Sequence, residues 1–256
     1  MKKLLILGFF ASVISGCVDG NSNNLLIERD DLNIAPIANT SSPLNNWKVA
    51  CSGRKKIDPN RGVDRGAIEY IKLEDTWKFT PSRNYCSGGA KQRAELATGS
   101  IKTNTEKSYL FETNISFKSQ STERFIIFSI HDGRDGCAPP ASLYVSENGQ
   151  LYVESDIKTG PGESCIRGRL GQASKDKVSK DGRNHNLRIF VEFDGVGGFI
   201  MSVWLDGKLQ INGGYIPQTD EYASTRFYFK HGVYSQKMFN YVLKSKNRRV
   251  AEIVFK

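Results

Sequence analysis

The chain is short of the residues that build metal centres. Its 256 residues include three His and five Cys, and no two Cys stand in a Cys-x-x-Cys spacing. A thiolate or His-rich metal site is therefore not expected, and no cofactor is predicted. Long apolar runs are missing too, which excludes a multi-span membrane protein. No stretch holds a helical apolar period over three turns, so a helix bundle is not expected. Acidic residues are in deficit: 27 Asp and Glu against 36 Lys and Arg give a formal charge of +9. Apolar residues make up 39% of the chain, too many for a disordered tail. What is present is an excess of positive charge, which predicts an anionic partner.

Met1-Lys2-Lys3 followed by the apolar run Leu4 to Ile14 has the form of a signal peptide, too short to span a bilayer. It ends Ile14-Ser15-Gly16-Cys17, which resembles the bacterial lipobox. The resemblance implies a lipoprotein signal over residues 1–16, lipid on Cys17 and a membrane anchor. Val18 in place of Asp after the Cys favours the outer membrane, facing the periplasm or the cell surface. Loss of Lys2 and Lys3 leaves 34 basic residues against 27 acidic, a net +7. Residues 17–45 are rich in Asn, Ser and Asp and read as a tether. The remainder, 46–256, reads as one domain, expected to be monomeric.

Cys51, Cys86, Cys137 and Cys165 remain. An even count in an exported chain reads as two disulfides, with three connectivities open. Local pairing, Cys51–Cys86 and Cys137–Cys165, is the preferred reading. The second would tie the ends of a hairpin around Glu147-Asn148-Gly149. Free buried thiols are the competing reading.

Alternating segments recur at 68–73, 109–117, 124–131, 143–145, 151–153, 187–193, 199–205, 226–234 and 250–255. Turn signals such as Asp194-Gly195 and Asp206-Gly207 separate many of them. Many short strands with frequent turns predict an all-β sandwich of two antiparallel sheets, a β-jelly roll. Parity assigns faces, because successive side chains of a strand point to opposite sides. Phe227, Phe229 and Val233 form a core row, so Arg226, Tyr228, Lys230, Tyr234 and Gln236 share the other face. Ser129 with His131, and Arg93 with Glu95, are further same-face pairs. Such a face is a solvated outer surface or, given its two Tyr, a sugar-binding groove.

Tyr228-Phe229-Lys230-His231-Gly232-Val233-Tyr234-Ser235-Gln236 closely resembles the Tyr-Phe-Lys-x-Gly-x-Tyr-x-Gln signature of family 7 alginate lyases among the polysaccharide lyases. Arg93-Ala94-Glu95-Leu96 and Ile130-His131 resemble two further blocks of that family, in the same order. Gln92 through Leu96 and His231 through Tyr234 are also similar to heparin-lyase-I-type jelly-roll lyases. The chain departs from the family pattern at three positions. Ser129 stands where the family has Gln, Ala97 where a second Arg is expected, and His231 where a small residue is usual.

The resemblance implies a concanavalin-like jelly roll with a concave groove, and β-elimination on a uronic-acid polysaccharide. The proton next to a carboxylate is a poor acid, so the reaction needs a group on the carboxylate, a base at C5 and an acid at O4. Arg93 is the expected neutraliser, since a guanidinium can hold a carboxylate in a two-point fork. Tyr234 matches the family's catalytic Tyr. A phenol ionises near pH 10, so this role calls for positive charge nearby, from Lys230 and Arg93. His131 is base or orienter, with the alternative of a turn residue bonded to Asp132. Lys230, Gln236, Tyr228, Glu95, Arg226, Ser129 and Gln92 are the expected substrate-binding set, and Glu95 alternatively orients Arg93. His185 reads as a surface residue.

A lectin-like lipoprotein with the groove but not the chemistry is the main rival. A glycoside hydrolase needs two placed carboxylates, and Val196 stands where a partner to Glu192 would be. Nucleic acid is not expected as a partner, since the positive charge lies on strands and loops rather than in a recognised motif.

Overall fold

The computed structural model describes residues 42–50, 67–80, 92–119, 123–218, 221–222, 224–236 and 241–253. The signal and tether, Cys17, Cys51 and Cys86 lie outside them, as do the side chain of Gln92 and residues 254–255 of the last expected strand.

The alternating segments form two antiparallel sheets. In chain order the strands are β1 (Lys48–Val49), β2 (Ile68–Ile71), β3 (Thr76–Phe79), β4 (Gln92–Ala97), β5 (Ile101–Lys102), β6 (Glu106–Lys118), β7 (Phe125–His131), β8 (Ala141–Val145), β9 (Leu151–Lys158), β10 (Cys165–Arg169), β11 (Asp181–Asp194), β12 (Phe199–Leu205), β13 (Lys208–Tyr215), β14 (Arg226–Ser235) and β15 (Val242–Ile253). The first sheet runs β1-β4-β14-β7-β8-β9-β10, with β5 also on β14. The second runs β13-β12-β11-β6-β15-β3-β2. This is the expected jelly-roll sandwich.

The inward faces make the core. Leu187, Ile189, Val191 and Phe193 alternate inward along β11 and meet Phe227, Phe229 and Val233 of β14 in one buried cluster. A fully buried side chain of this size contributes about 2 kcal/mol of transfer free energy. Turn chemistry closes the hairpins: Asp206 and Gly207 both take positive φ, 52° and 79°, the conformation of a two-residue hairpin turn.

Some expectations change. The segment 68–73 leaves the sheet after Ile71, where Lys72–Glu74 form a 3-10 turn ending on Asp75 at φ 44°. Strand β15 begins at Val242, eight residues before the expected start. His185 is not a surface residue: it is buried in β11. Its Nε2 accepts from the Ser179 amide at 3.1 Å and its Nδ1 meets Asp206 at 2.7 Å. A polar ring so placed braces the β12–β13 turn against β11. The Cys137–Cys165 disulfide is present, with Cα atoms 6.1 Å apart, and it fastens the loop before β8 to the start of β10 across the β8–β9 hairpin.

Candidate active site

The outward face of the first sheet is set by register, because residues opposite each other on paired strands share a face. Tyr234 stands opposite Arg93 on β4 and Ile126 on β7. Lys230 stands opposite Ala97 and Ser129, and Tyr228 opposite His131. The ladder therefore brings together three sequence blocks that are far apart in the chain.

A glycine makes the key placement possible. Gly232 has φ +142°, and a Cβ added there would lie 2.3 Å from the Ala94 carbonyl oxygen. The β14–β7 register shifts between His231 and Tyr234 at the same point. Any other residue would push β14 off β4, and the bulge re-aims Tyr234.

The Arg93 guanidinium carbon lies 4.9 Å from the centroid of the Tyr234 ring. Its Nε is 3.1 Å from a carboxylate oxygen of Glu95. Glu95 is only 5% exposed, so it acts from beneath, holding Arg93 rather than presenting itself to a ligand. His131 stacks on Tyr228, centroids 5.2 Å apart and planes 22° from parallel. Burial, then the charges of Lys230 and Arg93, hold the His131 imidazole well below the usual histidine range. It is neutral near pH 7 and free to accept a proton. Burial also lowers Lys230, with Glu95 opposing and Arg93 reinforcing the shift.

Asp132 does not bond His131. Its carboxylate pairs with Arg134 and accepts from Ser224 Oγ at 2.8 Å, while Arg134 donates to the Tyr222 carbonyl and to Tyr215 Oη. This buried knot ties the loop after β7 to the approach to β14, two segments that carry His131 and Tyr228.

Beside these residues lies an open cleft of about 450 Å³, lined by Lys48, Arg93, Thr98, Arg226, Tyr228 and Lys230 among others. Four of its lining residues are cations, and none of the described ones is acidic. Tyr234 and His131 border it through Arg93 and Tyr228. Lys48 was not legible as a site residue, since β1 has two residues and no pattern. It stands opposite Ala97, which in turn stands opposite Lys230. Where the resemblance expects an Arg, this chain has a small residue flanked by two lysines. Ser129 is buried beside Lys230, and Gln236 is exposed just past the end of β14. The ladder thus gathers Tyr228, Lys230, Arg226, Glu95 and Ser129 of the expected binding set on one face, whereas Gln92 stands opposite Ser235, on the other parity from Arg93, and Gln236 lies past the strand.

Comparison with known proteins agrees with the geometry. A family model described as polysaccharide lyase matches residues 65–252. A search of the curated proteins finds no match. An alginate lyase of polysaccharide lyase family 7 superposes with a TM-score of 0.53 at 18% identity, covering 82% of this chain and 96% of its own. An alginate lyase from Pseudomonas aeruginosa gives 0.53 at 19%, covering 82% and 99%. A third alginate lyase, in complex with dimannuronate, gives 0.53 at 14%, covering 84% and 92%. At these identities the superpositions speak for the fold, and the family match spans most of the chain: this protein belongs to the polysaccharide lyase family and is an enzyme of it.

Proposed function

We propose that the enzyme cleaves a uronic-acid polysaccharide by β-elimination, with Arg93, Tyr234 and His131 as the reacting constellation. The observation that carries this reading is a cleft lined by four cations and, among the described residues, by no carboxylate, next to a Tyr–Arg pair and a neutral His. Arg93, held by Glu95, takes the carboxylate and stabilises the charge that builds there as the C5–H bond breaks. The electron pair forms the C4–C5 double bond, and the glycosidic bond to O4 breaks as that oxygen receives a proton. Tyr234 gives that proton, and on a syn face it also removes the one at C5. On an anti face the neutral His131 removes it. Lys230, Lys48 and Arg226 hold neighbouring carboxylates, a role that suits cations lining a cleft.

The test is direct, because the product carries a double bond conjugated to a carboxylate. Purified enzyme is expected to raise ultraviolet absorbance with at least one of alginate, glucuronan, heparin, hyaluronan and acidic capsular polysaccharides. Binding without any absorbance rise or chain shortening would overturn the reading in favour of a lectin.

The pH dependence follows from His131. Its folded-state pKa is depressed by burial and by Lys230 and Arg93, so the proton that blocks it binds only well below pH 6.5. The acid limb of kcat/KM is expected there, on substrates for which His131 is the base. Lys230→Gln removes one of the depressing charges, and the limb should move to higher pH. A limb unmoved in that variant would assign the titration to another group.

A further inference from the structure

The row that carries Tyr234 does not end at β7. Ile126 stands opposite Tyr144 on β8, and Tyr144 opposite Tyr152 on β9. The two tyrosines are therefore on the groove face of the same sheet as Arg93 and Tyr234. Their rings stack with centroids 5.1 Å apart and planes 5° from parallel. Arginines cap the pair: Arg124 lies 4.9 Å from the Tyr144 centroid and Arg169 lies 4.8 Å from the Tyr152 centroid.

The two arginines differ in what they hold. Arg124 donates to Glu154 at 2.6 Å and to Tyr152 Oη at 2.9 Å. Arg167, next along β10, is engaged by Asp156 through two hydrogen bonds. Arg169 is exposed and stands opposite Glu154, whose carboxylate Arg124 already holds. Among the described residues Arg169 has no carboxylate partner, so a guanidinium is stacked on an aromatic ring with its donors unspent. A planar fork fixed in this way suits a carboxylate. The tyrosines act as its platform: Tyr152 is buried with its hydroxyl accepting from Arg124, and Tyr144 is hydrogen-bonded to Glu154.

The spacing matches a sugar chain. Strands stand about 4.8 Å apart, which puts Tyr144 about 10 Å and Tyr152 about 14 Å from Tyr234 along the row. A 1,4-linked pyranose chain advances by a similar distance per residue. A chain crossing the strands would therefore set its residues over successive strands.

We propose that Tyr144, Tyr152, Arg124 and Arg169 form a second sugar-binding subsite, which takes a uronate two to three residues from the bond that breaks, with Arg169 on its carboxylate. The proposal rests on the uronate reading of the active site and extends it: the enzyme favours long chains over short ones. None of these four residues belongs to a sequence block that pointed to the active site.

Steady-state kinetics on oligouronates of increasing length test it, using the full chain. In the unaltered enzyme KM should fall once the oligomer is long enough to reach Arg169. Arg169→Ala should remove that fall, raising KM on long substrates about tenfold, equivalent to about 1.4 kcal/mol. It should leave kcat and the KM of short substrates as they were. Arg169 is exposed, so the variant should fold, and Arg169→Lys should restore part of the effect. An equal change on short and long substrates, or none, overturns the subsite. Affinity electrophoresis in gels containing polyguluronate or polyglucuronate separates this from a failure of the lyase reading. Weaker retardation of Arg169→Ala supports the subsite even if no elimination is seen, and equal retardation, or none of either form, overturns it.

Discussion

Tyr234→Phe is expected to lower kcat by about three orders of magnitude, the usual contribution of a placed proton-transfer group. The substitution removes one oxygen and leaves the ring, so its packing under the Arg93 guanidinium at 4.9 Å persists. KM for the polymer should change little, since the lost interaction belongs to the transition state rather than to binding. Initial rates from ultraviolet absorbance, with a circular-dichroism spectrum matching the unaltered protein, give the measurement. The physical basis is local. Arg93 places a permanent cation against the phenol where negative charge develops during proton transfer, and Glu95 keeps that cation in position. Full activity in Tyr234→Phe would move the chemistry to His131 alone. Full activity in Arg93→Ala would remove the carboxylate neutraliser from the scheme.

His231→Ala is expected to destabilise the fold by about 3–4 kcal/mol, through a cavity and orphaned polar partners. His231 is 0% exposed and packs against Phe79 and Phe111. Its Nδ1 donates to the Ile127 carbonyl at 2.8 Å, which leaves Nε2 to accept from Ser245 Oγ at 2.8 Å. Ser245 in turn meets Thr113 Oγ1 at 2.7 Å. A short polar chain thus links β14 of one sheet to β15 and β6 of the other. Urea denaturation measures the loss as a lower midpoint at an unchanged slope. A loss below about 1 kcal/mol would mean that the core closes over the site.

The same residue makes stability depend on pH. Burial, helped by the charge of Arg248, lowers His231 to about 3, whereas the unfolded chain titrates near 6.5. The contribution is complete above about pH 6.5 and is lost as pH falls toward 3, because only the unfolded state gains the proton. The slope from this one group is about 1.4 kcal/mol per pH unit. His131 adds a slope of the same sign in both proteins. The difference between the unaltered protein and His231→Ala, followed from pH 6.5 to 5, isolates His231.

Much of the site is readable from β14 alone. Alternation along Arg226 to Tyr234 separates Phe227, Phe229 and Val233 from Tyr228, Lys230 and Tyr234, and the fold keeps that division. Parity is a local property of extended backbone, so it needs no neighbours. Of the three connectivities open in the sequence, the preferred local pairing of Cys137 with Cys165 is the one the fold holds. By contrast, β1 and β5 have two residues each and exist because a neighbouring strand offers hydrogen bonds. The polar character of His185 suggested solvent, yet Ser179 and Asp206 satisfy both ring nitrogens within the fold.

By itself the sequence determined the strand faces of this protein, its excess positive charge and the block that carries its lyase resemblance. All three depend on residue order and type, which act over a few neighbours. Only the tertiary structure decided which strands lie side by side. That choice set Arg93 over Tyr234, placed Lys48 beside Ala97 and put Tyr144, Tyr152 and Arg169 on the same sheet. Pairing between strands more than a hundred residues apart follows from burying two whole sheets against each other, and no local pattern encodes it.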